Sequence, residues 1–566
     1  MIPIYPKILD TAFVVTGTPM FSDLIKQIQS DSSLSNERRR DLVSGLKRVA
    51  KALDRSPATV PADSQWLQPR LSKVEPASLN LSPKSWSNIL SDARAAMNHA
   101  GITEKRRFNR LENLSPAWQA LWRQVLANKD RSVSSLLGRF VYFLDHQDIA
   151  PEDVRDAHAI AFRDAVALNE ISRSPDRSYR NAVSIWNLAV DRFPEWPRQR
   201  LTAPSRQKVD KLPLEQFSPS FQADLERYVQ TLSDPDPFDV NCRLHPLSPS
   251  TVKLYKARLI RFASLLVRDG VPVEALDGLG TMLDPVLVKR GLKIMLDRND
   301  GETSASISDA AILLNGIART YLSAPTDIQA ALDDLAKRVA QKQPQGLTAK
   351  NRERLRALDD PISRRNFLRL PERLFEEADQ RDIGQKSCAT RENAVAIAIL
   401  QYCPVRVKNL ASIHLERSLH RPGDGRVFLV FRANEVKNGS HIEIELLPHV
   451  VEMIDRHVSL RAGILCDPTS PWLFPMRRQD RGMDPNRLSR QISQTIRKSI
   501  GLEINAHLFR HIAAKLMLEA RPGEYESVRR LLGHSRMSRT LNCYAGFEAG
   551  TATRLFAEIV DQGKAS

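Results

Sequence analysis

Cysteine is scarce in this chain, and its spacing gives no sign of a framework. The 566 residues contain five cysteines, and no two of them form a C-x-x-C pair. The odd number argues against a disulfide scaffold, and the wide spacing argues against a zinc knuckle. This usage is typical of a reducing cytoplasm. The cysteines are Cys242, Cys388, Cys403, Cys466 and Cys543.

Long apolar runs are also lacking. Nowhere do ~18 apolar residues follow one another, which is the length that a membrane-spanning helix needs. The first residues, Met1 to Lys7, lack a basic stretch followed by an apolar one, so they do not resemble a secretory signal. We expect a cytoplasmic protein without a membrane partner.

Positive charge is what the chain has in excess. Lysine and arginine number 83 against 66 aspartates and glutamates, which gives a net charge of +17. The hydrophobic fraction of 42% is that of a globular protein, and the length predicts about three to five compact units. Such a charge favours a polyanion as partner, nucleic acid ahead of an acidic membrane surface.

The first ~340 residues are predicted to be helical, because apolar residues recur at steps of three and four. Three stretches repeat one plan of a helix, a proline-bearing turn and two further helices, which predicts tandem modules; three unrelated helical bundles are the alternative. In the third stretch Ser250 and Thr251 are expected to cap the first helix. We place a first helical module at 1–110, a second at 111–212 and a third at 213–345.

The remaining region, 346–566, has a mixed pattern that predicts a helical domain with a small antiparallel sheet. Helices are expected at 371–378 and 392–402. The strongly alternating runs 426–431 and 441–446 predict two strands, joined by a turn at Lys437-Asn438-Gly439. A further helix is expected to begin at Asp484-Pro485 and to end at Gly501.

One short motif carries a cluster of reactive side chains. His507 and Arg510 are three residues apart and therefore share one face if a helix begins here. His511 follows His507 by four residues, as in zinc helices of the H-E-x-x-H type, but Leu508 stands where the glutamate would be. The pair His507 and Arg510 therefore favours an anion over a metal.

Further motifs flank this one in chain order. Arg406 follows an apolar helix in the sequence YCPVRVKNL, His534 follows a glycine in LLGHS, and Tyr544 comes ten residues later. The ordered set resembles the active site of the tyrosine recombinase, or phage integrase, family over roughly residues 365–560. Its members here are Arg406, Lys437, His507, Arg510, His534 and Tyr544.

The resemblance implies the role of each residue. Arg406 and Arg510 pair with the oxygens of a phosphorane-like state, and Tyr544 is the nucleophile. His507 is the candidate base, since a phenol with a pKa of about 10 needs help to lose its proton. Lys437 delivers a proton to the departing 5′ oxygen, with Lys408 and Lys342 as alternatives, and His534 contacts the phosphate or steadies the tyrosine. No metal and no cofactor are expected.

Two features depart from the family pattern. An acidic residue usually stands three positions after the first arginine, where this chain has Asn409. That carboxylate normally supports the site, so Arg406 depends here on another group, such as Glu416, or on none. The interval between His534 and Tyr544 is also one residue longer than the commonest form.

The implied protein is a site-specific DNA recombinase that integrates, excises or transposes a mobile element through a 3′-phosphotyrosine link. Alternatives are a telomere resolvase, a type IB topoisomerase or an inactive DNA-binding accessory protein of the same fold. The expected partner is double-stranded DNA, and the expected location is the nucleoid of a prokaryotic cell. We expect four protomers to meet on DNA and the free protein to be a monomer, while a need for partner recombinases stays open.

Two surfaces complete the expectations. The third module should bind the DNA backbone as a core-binding domain, and its candidate phosphate contacts are Lys253, Lys256, Arg258 and Arg261. At 549–562 an apolar helix face carries Leu555, Phe556, Ile559 and Val560. This face packs on its own domain or docks on a neighbouring protomer.

Overall fold

A computed structural model of the chain describes residues 14, 15, 17–104, 110–128, 131–202, 211–236, 238, 243–341, 346–437, 439, 441–477 and 479–565. The described part divides into two compact units, Met1–Ala203 with Gln345–Ser566, and Pro204–Pro344. It is mainly helical with a three-stranded antiparallel sheet, which confirms the predicted fold class. Among the described residues, no helix has the length and apolar character needed to span a membrane.

The first module has its own core around Phe21, Leu46 and Trp86. A 3-10 turn, Pro57–Thr59, follows the long second helix, and another 3-10 turn, Pro76–Leu79, precedes the last helix. The helices are α1 (Phe21–Ser30), α2 (Asn36–Ala52), α3 (Ser64–Leu71) and α4 (Pro83–His99).

The second module repeats this order. Its 3-10 turn, Pro151–Asp153, again follows the long second helix. Three tryptophan rings, Trp118, Trp186 and Trp196, meet edge to face in its core, with ring centroids 5.3 to 6.3 Å apart. The helices are α5 (Pro116–Ala127), α6 (Arg131–His146), α7 (Asp156–Asn169) and α8 (Pro175–Arg192).

The third module lies within the unit Pro204–Pro344 and begins in the same order, with a 3-10 turn at Val273–Ala275 after its long second helix, but four further helices follow that turn. Its core includes Phe221, Phe262 and Leu314. The helices are α9 (Pro219–Ser233), α10 (Pro249–Arg268), α11 (Leu279–Met282), α12 (Pro285–Asp297), α13 (Ala305–Thr320) and α14 (Thr326–Arg338).

Many helices begin in the same way. A serine or aspartate accepts a hydrogen bond from a backbone amide of the first turn, and a proline follows it, where the missing N–H is not needed. These caps are Ser82, Ser174, Ser218, Ser248, Asp284, Asp360 and Asp484. For α10 the cap is Ser248 and not Ser250 or Thr251, because Pro249 already takes the first helical position.

In the C-terminal region, buried residues of α18 and of the sheet share one hydrophobic core. Strand β1 (Leu419–His420) pairs with β2 (Phe428–Phe431), and β2 pairs with β3 (Ile442–Glu445). The helices are α15 (Ala349–Arg356), α16 (Pro361–Leu368), α17 (Leu370–Asp379), α18 (Gln385–Tyr402), α19 (Val407–Ala411), α20 (Pro448–Arg461), α21 (Pro485–Ile500), α22 (Leu508–Ala520), α23 (Tyr525–Leu532), α24 (Met537–Tyr544) and α25 (Ala549–Ala565).

Most sequence predictions for this region are confirmed. Helix α21 begins after Asp484 and ends at Gly501, whose φ of 74° is the left-handed conformation that glycine adopts readily. The two predicted strands pair antiparallel, with Phe431 opposite Ile442. Helix α18 begins at Gln385, earlier than the predicted residue 392. The prediction missed this start because the first turns are polar and lack apolar periodicity. The two-residue strand β1 was not predicted.

The first module contacts both of its neighbours within the larger unit. The Gln68 side-chain amide donates to the carbonyls of Val166 and Ala167, at 3.1 Å each, and so joins the first two modules. Arg497 of α21 pairs with Glu75 at 3.0 Å, and Gly501 lies against Ser78, where an added Cβ would approach the Ser78 backbone to 2.8 Å. The domain limits drawn from the sequence stay a prediction.

Candidate active site

Tyr544 is the last residue of α24 and is 2% exposed. Its hydroxyl lies 3.0 Å from Nδ1 of His511. Burial raises the pKa of the phenol, and Cys543 adds to this rise, whereas Arg510 and Arg539 oppose it. The phenol is therefore protonated at neutral pH, and it depends on neighbouring groups to become a nucleophile.

His511 is held in its neutral form. Burial, followed by the charges of the neighbouring His507 and Arg510, lowers its pKa to about 4. The two imidazole rings of His507 and His511 meet edge to face, with centroids 5.0 Å apart. A neutral imidazole has one bare ring nitrogen, and in the tautomer that leaves Nδ1 bare it accepts the hydrogen bond from the Tyr544 hydroxyl.

Arg510 ties three parts of the site together. It is 5% exposed, and its Nη1 donates to the Pro404 carbonyl at 2.8 Å while its Nη2 donates to the Leu532 carbonyl. Pro404 lies two residues before Arg406, and Leu532 lies two residues before His534. Burial, followed by the repulsion of Arg406, lowers the Arg510 pKa to about 10. The guanidinium stays charged at neutral pH and is fixed in place.

Arg406 and His507 complete a basic pocket. Arg406 is the N-cap residue of α19 and is half-buried, and burial followed by the nearby Arg539 lowers its pKa. His507 is the N-cap residue of α22, and burial followed by Arg510 and Arg406 lowers its pKa. Arg406, Arg510 and Arg539 repel one another. This repulsion favours the binding of an anion such as phosphate, which would relieve it.

His534 is a second histidine that lies next to the tyrosine. Gly533 adopts a φ of 57° and ends α23, which turns the chain so that His534 is buried. Its Nδ1 lies 3.0 Å from the Thr540 hydroxyl, and its ring lies parallel to that of Tyr544, with centroids 6.3 Å apart. Burial, followed by Arg510, lowers its pKa to about 4. The ring is positioned by α24 itself.

The structure brings five of the six predicted site residues together and leaves one apart. Lys437 is exposed on the connection between β2 and β3, after a 3-10 turn at Ala433–Glu435. Among the described residues, no contact joins Lys437 to the histidines or arginines of the site. Lys408 is exposed too, and Lys342 lies outside the described residues.

Asn409 occupies the position where the family pattern has an acid. Its side chain is 2% exposed, and its Nδ2 donates to the Glu435 carbonyl at 3.3 Å. This hydrogen bond joins α19 to the connection between β2 and β3. Glu416, the other group considered, donates its backbone N–H to Nδ1 of His414.

The predicted DNA contacts of α10 differ in their surroundings. Lys253 and Arg261 are exposed. Lys256 pairs with Glu226 at 2.5 Å, and Arg258 pairs with Asp309 at 2.7 Å. On α25, Phe556 and Ile559 are 67% and 65% exposed and Val560 is 36% exposed, while the Leu555 side chain lies outside the described residues.

Sequence reasoning missed three residues of the site. The sequence suggested His511 only as a metal partner of His507, although a histidine that directly follows Arg510 was a usable signal for a site residue. Arg539 lies five residues before Tyr544 on α24, and its charge lowers the pKa values of five neighbouring groups of the site. Thr540, which is fully buried, positions His534.

Residues 371–549 match the model of the phage integrase family. No curated protein matches the chain. One solved structure that resembles it is the XerH recombinase bound to difH, at 14% identity over 76% of this chain and 99% of that chain, with a TM-score of 0.35. Another is the XerA recombinase, at 17% identity over 55% of this chain and 92% of that chain, with a TM-score of 0.25. A lambda integrase tetramer bound to a Holliday junction also resembles it, at 16% identity over 65% of this chain and 90% of that chain, with a TM-score of 0.33.

These TM-scores are low, so the family assignment depends on the matched segment. The segment 371–549, which holds the residues of this site, thus resembles a phage integrase family domain.

Proposed function

We propose that this protein is a site-specific DNA recombinase that cleaves and rejoins DNA through a 3′-phosphotyrosine at Tyr544. The observation that carries the proposal is the hydrogen bond between the Tyr544 hydroxyl and a neutral His511, next to the buried Arg510. A nucleophile, a proton acceptor and a fixed cation are what phosphoryl transfer without a metal requires.

In the proposed reaction the Tyr544 oxygen attacks a DNA phosphorus, forming an O–P bond while the bond to the 5′ oxygen breaks. The phenolic proton passes to a histidine. His507 is the base proposed from the sequence, but Nδ1 of His511 lies 3.0 Å from the phenolic oxygen, so His511 offers the direct route. His507 then faces the phosphate together with Arg406. The new negative charge on the phosphate oxygens is stabilised by Arg406 and Arg510.

The 5′ oxygen must leave with a proton, because an alkoxide is a poor leaving group. Lys437 is the proposed donor. It sits on a connection between two strands at the edge of the core, in an exposed position from which DNA could be reached. His534, stacked beside Tyr544, is proposed to steady the tyrosine ring and to donate to the phosphate.

We further propose that the catalytic domain and the third module each contact DNA. Lys253 and Arg261 are the better candidates for phosphate contacts, because Lys256 and Arg258 already have carboxylate partners. Four protomers would assemble on two duplexes, with the exposed apolar residues of α25 docking on a neighbour. Integration, excision or transposition of a mobile element is the proposed biological role.

The experiment uses DNA that flanks the gene, screened for repeated or inverted sequences, and made into nicked substrates that trap a cleaved end. We expect a covalent protein–DNA adduct in the presence of EDTA, and digestion should locate it at Tyr544. Recombination between two such sites supports a recombinase. Relaxation of a supercoiled plasmid without exchange, or closed hairpin ends, would instead support a topoisomerase or a resolvase. Binding without any adduct would support an accessory protein.

A further inference from the structure

Asn409 connects the helix that begins at Arg406 with the connection that carries Lys437. It lies on α19, three residues after Arg406, and its side chain is almost fully buried. Its amide donates to the carbonyl of Glu435, two residues before Lys437. The bond therefore spans two elements that hold candidate catalytic side chains.

The described residues of the connection have further contacts of their own. The Glu435 carboxylate accepts a hydrogen bond from the Arg432 backbone N–H at 2.8 Å, and Val436 is 5% exposed and packs into the core. The Gly439 N–H donates to the Val436 carbonyl at 2.9 Å. Lys437 follows directly on the buried Val436, so the position of its backbone depends on these contacts and on Asn409.

The chemistry of this contact requires an amide at position 409. The Glu435 carbonyl oxygen is an acceptor, and a carboxylate facing it would place two acceptors together in a buried place, which is unfavourable. An asparagine supplies the donor. The departure from the family's acidic residue is therefore matched to a partner in this chain.

We propose that Asn409 is a positioning residue for Lys437, holding the β2–β3 connection so that the ammonium group reaches the 5′ oxygen. The proposal depends on the proposed recombinase activity. It predicts a specific defect in leaving-group protonation when the Asn409 amide is lost, while DNA binding and the attack by Tyr544 remain.

The test compares Asn409→Asp and Asn409→Ala with the matched control Asn434→Asp. Asn434 is exposed and precedes Glu435, so its variant adds the same charge to the same connection without touching the Asn409 bond. Single-turnover cleavage is measured on a nicked substrate with the ordinary 5′ oxygen and on one with a 5′-bridging sulfur, whose departure needs no proton.

On the oxygen substrate we expect both Asn409 variants to cleave about tenfold or more slowly, a part of what a general acid contributes. On the sulfur substrate they should match the unaltered protein within about twofold, and DNA affinity should be unchanged. Asn434→Asp should behave as the unaltered protein on both. Equal slowing on both substrates, or no slowing on either, would overturn the proposal. Asn409→Ala adds no charge, so it provides the test by itself if Asn409→Asp does not fold.

A second readout does not depend on catalysis. Hydrogen exchange at the amides of Val436 and Lys437 should be faster in both Asn409 variants than in Asn434→Asp. If the unaltered protein forms no adduct with either substrate, the proposed function fails, and the exchange rates alone decide whether Asn409 holds the connection. Unchanged exchange in Asn409→Ala would show that it does not.

Discussion

Nδ1 of His511 lies 3.0 Å from the hydroxyl oxygen of Tyr544, although 33 residues separate them in the chain. The imidazole is neutral because burial and neighbouring cations lower its pKa to about 4. We expect His511→Ala to slow adduct formation by about 10²- to 10⁴-fold, the usual contribution of a base. His511→Gln keeps an acceptor and should lose less. Quenched-flow cleavage measures both variants, and an unaffected rate in His511→Ala would leave His507 as the base.

The lowered pKa of His511 also predicts how stability depends on pH. The unfolded chain takes up a proton near pH 6.5, whereas the folded site does so only near pH 4. The unfolded state therefore binds more protons in this window, and stability falls as the pH drops from 6.5 towards 4. Between pH 7 and pH 5 this amounts to about 2 kcal/mol.

Thermal unfolding at pH 7 and pH 5 checks this prediction. In His511→Gln, which does not titrate in this range, the midpoint should fall less between the two pH values than in the unaltered protein. Only the difference between the two midpoints matters, since the variant can differ in absolute stability. Equal shifts in both proteins would contradict the lowered pKa.

Tyr544→Phe should abolish the covalent adduct while DNA binding remains, because only the phenolic oxygen is removed. Tyr525→Phe is the matched control, since Tyr525 lies on the neighbouring α23 and its hydroxyl donates to Glu548. The control should form the adduct. A gel that resolves protein–DNA adducts after denaturation is sufficient. An undiminished adduct in Tyr544→Phe would place the nucleophile elsewhere.

Lys437→Ala should slow cleavage of an ordinary substrate by about 10²- to 10⁴-fold, as loss of a general acid does. A 5′-bridging phosphorothiolate should restore the rate, because a thiolate leaves without a proton. Lys408→Ala, at another exposed lysine of the domain, is expected to cleave the ordinary substrate normally. If the phosphorothiolate rescues Lys408→Ala and not Lys437→Ala, the role of acid moves to Lys408.

Removal of residues 550–566 should leave single-site DNA binding intact and prevent the assembly of four protomers. Phe556 and Ile559 are largely exposed in the single chain, so their apolar surface is available to a neighbour. Light scattering of the DNA complex gives the number of protomers. The double variant Phe556→Ser with Ile559→Ser should have the same effect as the deletion. A shortened protein that still assembles and recombines would mean that α25 is dispensable.

Local signals in the sequence predicted much of this molecule. The Asp484-Pro485 start and the Gly501 end of α21 are visible because capping and left-handed glycine depend on neighbouring residues only. The alternation in β2 and β3 was visible for the same reason. The start of α18 was not, since a polar first turn leaves no periodic pattern.

Contacts between distant segments could not be predicted in this way. The hydrogen bond from Asn409 to Glu435 and the one between Tyr544 and His511 depend on how separate elements pack, which no local pattern encodes. The order of the motifs suggested which residues belong to one site. It did not say which histidine meets the phenol, and it gave no sign of Arg539.

The contact between Gly501 and Ser78 links the evolution of two distant parts of the chain. Any side chain at position 501 would meet both a left-handed backbone and the backbone of Ser78, and Arg497 one turn earlier has its carboxylate partner in Glu75. The end of α21 is therefore constrained by contacts with the first module as well as by contacts within its own domain. Among related sequences, those without this module are free to vary at positions 497 and 501, whereas those that keep it should change these positions together with 75 and 78.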